Sequence, residues 1–395
     1  MTAGEGAEVR VAVVDDSTFI RKAILRMLKD EPAIQVVGSA GSGEELLTHF
    51  ERWRPDVVTL DLDMPGMGGL ATLDHVREMG PTPVIILSTH SGEGAPLTIE
   101  ALHRGAADFI DKQRYSLVDF EALRRVLVEK IYQVTGRDPA KVRAGEEAGS
   151  PTADPLPARP REARPAGPSA AAPVERRPAD PVPGAYDLVV IGASTGGPPI
   201  LQEILECLGD SIPVPIVVVQ HMPVGFTSAF AERLNAYLPL QVSEAQPPEH
   251  LLPDSVYIAS AGAHLRVRRR GSELFTELSP YPQNLMHMPS IDVLFESAAR
   301  EVGARTVGVI LTGMGRDGAR GLAALRLRGA YTLCQDEDSC IVFGMPRAAL
   351  ALNAVIEIAS PRELGRRLRQ LVAGAAEKDG AAASGEGAKR ASPPP

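Results

Sequence analysis

The residues best equipped for chemistry lie in Leu188–Gly197, LVVIGASTGG. An uncharged apolar run, Leu188 to Ile191, stops at Gly192, and Gly192-Ala193-Ser194-Thr195-Gly196 fits G-x-S-x-G. That spacing makes a sharp strand-to-helix turn which exposes a serine hydroxyl. Its glycines take strained dihedrals and allow close backbone approach. The same residues also fit a Gly-rich βα turn that cradles a phosphate on helix amides. A nucleophilic serine needs a base within reach and an acid behind that base. His221 follows the apolar run Val217–Gln220, and Asp317 follows Val307–Leu311 within Thr312-Gly313-Met314-Gly315-Arg316-Asp317-Gly318. Each of the three therefore stands at or just past the carboxyl end of a strand candidate, and in a doubly wound sheet those ends meet along one edge. Ser194 would attack, His221 would take and return its proton, and Asp317 would fix the histidine tautomer. The amides of Thr195 and Met314 are the candidate oxyanion donors. His250, His264 and His287 compete with His221 for the base, and Asp317 could instead cap a helix. Against the phosphate loop, the turn lacks G-x-G-x-x-G spacing, a ribose-binding acid and a Walker lysine after Gly197.

A second constellation lies nearer the amino terminus. Val11–Val14 closes on Asp15 and Asp16, Val57–Leu60 on Asp61, Val84–Leu87 on Ser88, and Phe109–Ile110 on Asp111-Lys112. Helical patterns separate these runs, one with Ile20, Ile24 and Leu28 on a stripe and another over Glu44–Trp53, and Ile34–Val37 is a further strand. Alternating strands and helices make a parallel sheet covered on both faces, with its chemistry beyond the carboxyl ends. Three carboxylates meeting there repel one another unless a cation sits among them, and hard oxygen ligands suit Mg²⁺. Taken singly, each aspartate would more often cap the helix after it.

Composition divides the chain. Of 395 residues, Arg137–Gly184 holds 11 of the 34 prolines and no aromatic, which reads as a flexible or partly polyproline linker. The boundaries expected are 1–136 and 185–372 for two globular units, 137–184 for the linker, and 373–395 for a low-complexity tail. A net charge of −9 disfavours nucleic-acid binding, and no helix-turn-helix pattern follows the first unit. Three cysteines without a C-x-x-C pair suit reduced thiols rather than disulfides or zinc. Neither a signal peptide nor an apolar run of spanning length is seen, so a cytoplasmic protein without membrane insertion is expected.

The first unit resembles the receiver domain of two-component response regulators, through Asp15-Asp16, LDLDMPGMGG at Leu60–Gly69, Ser88 and Asp111-Lys112. The resemblance implies that Asp61 is the phospho-acceptor and that Ser88 and Lys112 bind the phosphoryl oxygens. It also implies that Asp16, Asp61 and the Asp63 carbonyl hold Mg²⁺ with Asp15 assisting through water, and that Phe109 is the switch aromatic. The second unit resembles the CheB chemotaxis methylesterases, through IGASTGG, QHMPVGFTSAFAERL, MPSIDVLFESAA, LTGMGRDGARGL and QDEDSCIVFGMPRAA. The implied fold is α/β: an N-terminal (βα)5 receiver domain plus a C-terminal doubly wound, mainly parallel-sheet esterase domain. The implied activity is hydrolysis of glutamate methyl esters, and deamidation of glutamines, on methyl-accepting chemoreceptors by a Ser194-His221-Asp317 triad, with no cofactor for the esterase. A CheA-type histidine kinase would be the phosphodonor, and the unphosphorylated receiver would cover the esterase site. A receptor array outside chemotaxis is the alternative substrate. Arg316, Arg320 and Arg347 are candidates for steering an acidic receptor helix.

Overall fold

Runs of β-branched residues buried on both faces become the inner strands of two parallel sheets. The computed structural model describes residues 8–88, 94–112, 120–137, 183–282 and 285–373, so most of the expected linker and the tail after Ala373 lie outside the described residues. In the first unit the strands are β1 (Val9–Val14), β2 (Ile34–Ala40), β3 (Val57–Asp61), β4 (Val84–Ser88) and β5 (Asp108–Asp111). The helices are α1 (Thr18–Lys29), α2 (Gly43–Trp53), α3 (Gly68–Met79), α4 (Gly94–His103) and α5 (Phe120–Val134). The sheet order is β2-β1-β3-β4-β5 with every pair parallel. The order reverses between β1 and β3, and a ligand site in such a sheet forms at that reversal. Asp15, Asp16 and Asp61 sit there, so the expected (βα)5 arrangement holds with its acids at the expected edge.

The second unit has a seven-stranded sheet and a hairpin. Its strands are β6 (Leu188–Ala193), β7 (Ile216–Gln220), β8 (Gln241–Glu244), β9 (Ser255–Ile258), β12 (Thr306–Ile310), β13 (Tyr331–Gln335) and β14 (Glu357–Ala359); β10 (His264–Arg270) and β11 (Glu273–Ser279) form the antiparallel hairpin. The sheet order is β14-β13-β12-β6-β7-β9-β8, all parallel. Helices α6 (Gly197–Glu206), α7 (Phe226–Tyr237), α8 (Ile291–Glu301), α9 (Ala319–Leu327), α10 (Met345–Ala351) and α11 (Pro361–Val372) cover it. Strand register fixes where the chemistry-bearing residues emerge: Ala193 is paired with Gln220, and Gly192 with Ile310. One residue further on, Ser194 comes level with His221, and Ser194 N–H donates to Thr312 O at 3.0 Å.

Helix α11 buries an amphipathic stripe, Leu364, Leu368 and Leu371, and its closest approach to the neighbouring α6 turn is at Gly365. A Cβ there would lie 2.5 Å from Cys207 Cβ and 2.7 Å from Ile204 O. Gly365→Ala is therefore expected to cost about 1–3 kcal/mol by overpacking, read as a lower thermal midpoint.

Candidate active site

Strand β6 is buried along its whole length and ends where the chain turns sharply through Gly196 at φ +78° into α6, whose first turn takes Pro198. A side chain at Gly196 would run into Ile341 Cγ1 at 2.5 Å. The turn is pinned by its own carbonyls: Ser194 O accepts from Gly197 N at 2.8 Å and from Gln220 Nε2 at 2.9 Å. Thr195 O accepts from Thr312 Oγ1 at 2.9 Å.

The structure brings the three expected residues together. His221 Nδ1 lies 3.3 Å from Ser194 Oγ, and its Nε2 lies 2.9 Å from Asp317 Oδ2. With those partners, Nε2 carries the hydrogen donated to Asp317, and Nδ1 is the acceptor facing the serine. Asp317 does not cap its own helix. It reaches instead to the start of α8, accepting from Ser290 Oγ at 2.8 Å and from the amides of Ile291 at 2.8 Å and Asp292 at 3.1 Å, besides Gly318 N at 3.1 Å. Burial alone would push this carboxyl up. His221 and the α8 amides more than offset that and hold it far below the ordinary carboxylate range. Gly313 lies against Ser194, since a Cβ on it would sit 2.6 Å from Ser194 Cβ. Among the described residues, neither the Thr195 nor the Met314 amide donates to a protein acceptor.

The competing histidines separate by their partners. His264 is fully buried, accepting from Ser290 N at 3.1 Å and donating to Pro282 O at 2.8 Å, a fixed brace. His250 stacks on Phe275. His287 stacks on His221 itself. Arg320 and Arg347 are answered by Asp292 at 3.0 Å and Glu337 at 3.1 Å, which weakens the steering expected of them. A cavity of about 370 Å³ at the opposite, amino end of the sheet holds none of the expected catalytic residues; its Arg269 and Arg305 both pair with Asp187.

In the first unit, oxygens of Asp15, Asp16 and Asp61 lie within 4.8 Å of one another. Lys112 Nζ bridges Asp61 at 2.7 Å and Asp15 at 3.1 Å. Burial pushes the Asp61 carboxyl up to about 6, against the pull of Lys112 and with the repulsion of Asp15. A donor set of three carboxylate oxygens with an unrelieved charge fits a hard divalent cation. Asp63 touches the site through its amide, which donates to Asp61 Oδ1 at 3.3 Å. Ser88 is buried at the same edge, its hydroxyl accepting from Thr98.

Each unit matches a known family. A family profile described as CheB methylesterase matches residues 189–368, and one described as response regulator receiver domain matches residues 11–122. A protein-glutamate methylesterase/protein-glutamine glutaminase 1 from Oleidesulfovibrio alaskensis is 41% identical over 343 residues, 86% of this chain and 93% of the relative. The chain belongs to the CheB family. A second CheB relative, from Nitratidesulfovibrio vulgaris, is 42% identical over 355 residues, covering 89% of this chain and 95% of its own. The crystal structure of the Thermotoga maritima CheB methylesterase catalytic domain is 36% identical, spanning 47% of this chain and 99% of that one with a TM-score of 0.46.

In this CheB chain the two units share one hydrophobic core. Ile99 and Leu102 of α4 join Phe230 and Ala231 of α7 in it, and Phe109 packs on Phe226 with ring centroids 4.5 Å apart. Glu100 pairs with Arg233 across the contact. Next to Ser194, Thr195 Oγ1 donates to Asp108 Oδ2 at 2.5 Å, with Gln133 Oε1 3.3 Å away, and Lys130 Nζ lies 2.6 Å from the same Asp108 oxygen. Sequence reasoning missed Asp108, Lys130 and Gln133 altogether. They belong to no motif: Asp108 and Lys130 pair within the first unit, and only the docked arrangement sets Asp108 and Gln133 against Thr195. It also missed Ser290, whose place before a helix was visible but whose hold on Asp317 was not.

The raised Asp61 carboxyl carries a sign. The folded chain binds its proton more tightly than the unfolded chain does, so this group's contribution to stability falls as pH rises from about 4 through about 6. Asp61→Asn removes the buried charge and leaves Lys112 with Asp15. Without divalent cation it should raise the thermal midpoint of the first unit by several degrees at pH 7.5 and change it little at pH 4. Added Mg²⁺ should raise the wild-type midpoint more than that of the variant.

Proposed function

We propose that this chain hydrolyses glutamate methyl esters, and deamidates glutamines, on methyl-accepting chemoreceptors in the cytoplasm, under control of phosphorylation at Asp61. The observation that carries the reading is the continuous contact from Ser194 Oγ through His221 to Asp317 at the carboxyl edge of one sheet. Residues 1–136 are read as the receiver, 137–184 as the linker, 185–372 as the esterase and 373–395 as a tail. Among the described residues no helix is long and apolar enough to cross a membrane.

The chemistry is set by the site. Ser194 Oγ attacks the ester carbonyl while His221 Nδ1 takes its proton, and Asp317 balances the imidazolium. The oxyanion is met by the amides of Thr195 and Met314, each such donor being worth about 3 kcal/mol. His221 returns the proton to the departing methoxide, and methanol leaves an acyl-serine. Water, deprotonated by His221, then releases glutamate and restores Ser194. With glutamine the leaving group is ammonia, and the remaining steps are unchanged.

Control acts on access. Asp108, Lys130 and Gln133 of the receiver stand against Thr195, so the docked receiver blocks the face from which a receptor helix must come. A linker of about 48 residues holds the units at an effective concentration on the order of mM or below. About 90% closure then needs an intrinsic affinity near 0.1 mM, and a shift of about 1.4–3 kcal/mol opens the site. Asp15, Asp16 and Asp61, with the Asp63 carbonyl, would hold Mg²⁺. A bound cation supplies charge neutralisation during phosphoryl transfer. Lys112 and Ser88 would take the phosphoryl oxygens, and a CheA-type histidine kinase would be the donor.

Methanol release from methylated receptor tests the whole reading. Ser194→Ala should abolish it, and survival of activity would remove the serine from the mechanism. Asp61→Asn should erase stimulation by a small phosphodonor. Asp108→Ala should raise the unphosphorylated rate by about 10-fold while the phosphodonor-saturated rate stays near wild type; an unchanged unphosphorylated rate would separate this contact from inhibition.

A further inference from the structure

The general base is held by more than the two partners that chemistry demands. Nδ1 and Nε2 of His221 bond to Ser194 and Asp317 from opposite edges of the ring. Two in-plane bonds on opposite edges leave one soft motion, rocking about the line that joins them, and only a contact on the ring's face can stop it. His287 makes that contact: its ring lies on His221 with centroids 4.0 Å apart and planes 16° from parallel. We infer that His287 is a positioning residue for the base, its stacked ring fixing the His221 imidazole square to Ser194 and offering a π face to the imidazolium formed during the reaction.

The segment carrying His287 is built to hold it still. Met288 O accepts from Gly262 N at 3.1 Å, and Ser290, three residues after His287, is fixed on one side by His264 and on the other by Asp317. One short stretch thus braces both the acid and the base. The groups facing His287 are His221 from the end of β7, Asp317 from the loop after β12 and Lys130 from α5. Burial and the neighbouring His221 and Lys130 push His287 down to about 4, against the pull of Asp317, so its ring is neutral at working pH. Stacked on a neutral ring, the His221 cation is met by electron density. Stacked on a second cation, it would be repelled.

This inference rests on the triad assigned above, and two readouts keep the two apart. The full chain, with beryllofluoride on the receiver, is assayed for methanol release from methylated receptor and for the rate at which a fluorophosphonate probe labels Ser194. His287→Ala should lower kcat and the labelling rate about 10-fold each with KM within about 2-fold. His287→Phe keeps a flat ring and no titratable nitrogen. It should recover both rates to within about 3-fold of wild type and keep the acid limb of the pH–rate profile where it is. If Phe is as slow as Ala, or the acid limb moves in the Phe variant, a ring nitrogen is at work and the positioning role falls. It falls equally if His287→Ala retains the wild-type kcat or changes KM alone. Should the Ala variant fail to fold, the Phe variant decides by the same criteria. A wild type that labels but releases no methanol would overturn the proposed substrate, and the labelling rates would still decide His287.

Discussion

A half-buried carboxylate at the carboxyl edge of the second sheet, Asp317, is the interaction on which the site depends. Asp317 cannot ionise there unless its lost hydration is replaced, and replacing it draws in separate pieces of chain. Ser290 and the first amides of α8 supply hydrogens from one side, Gly318 from its own loop, and His221 from the end of β7. An uncompensated buried charge would cost several kcal/mol, so none of these pieces can leave alone. The same bonds that make the ionised form stable also orient the base. Folding and catalysis therefore draw on one set of contacts.

The receiver meets this arrangement at a single consequential residue. Thr195, next to Ser194 in the chain, directs its hydroxyl toward Asp108. Around that point the contact is mostly apolar, with Phe109 on Phe226 and the α4–α7 packing merging two cores into one. Apolar area gives the closed state its affinity, while the hydrogen bond from Thr195 to Asp108 gives it register. An aromatic at position 109 is consistent with both a core residue and a switch, because it lies two residues before Asp111 and packs on the other unit.

Much of this is legible in the chain because it rests on local pattern. Uncharged runs that end in Ser194, His221 or Asp61 announce strands buried on both faces, and a parallel sheet gathers their carboxyl ends without further information. Glycines at 192, 196 and 313 announce close approach, and each has a neighbour where a Cβ would go. What stays hidden depends on surfaces meeting across long sequence separations. Asp108 opens the edge strand β5 and reads as ordinary polarity until Thr195, 87 residues on, is set against it. Arg320 and Arg347 look free to steer a substrate because nothing local shows that Asp292 and Glu337 lie within reach. His287 reads as one more competing histidine, since a stacked ring has no signature in spacing.

The register of β12, β6 and β7 has a further implication for how such an enzyme can be controlled. Ser194, His221 and the loop bearing Asp317 leave three adjacent strands at one level, and their spacing is the spacing of the hydrogen-bonded ladder. A ruler of that kind has no slack: a shift of one residue would turn every side chain to the opposite face and dismantle the core with it. Evolution could not easily tune this reaction by loosening its geometry by degrees. The remaining way to throttle a permanently assembled machine is to shut its door, and for that a second folded body on a tether suffices.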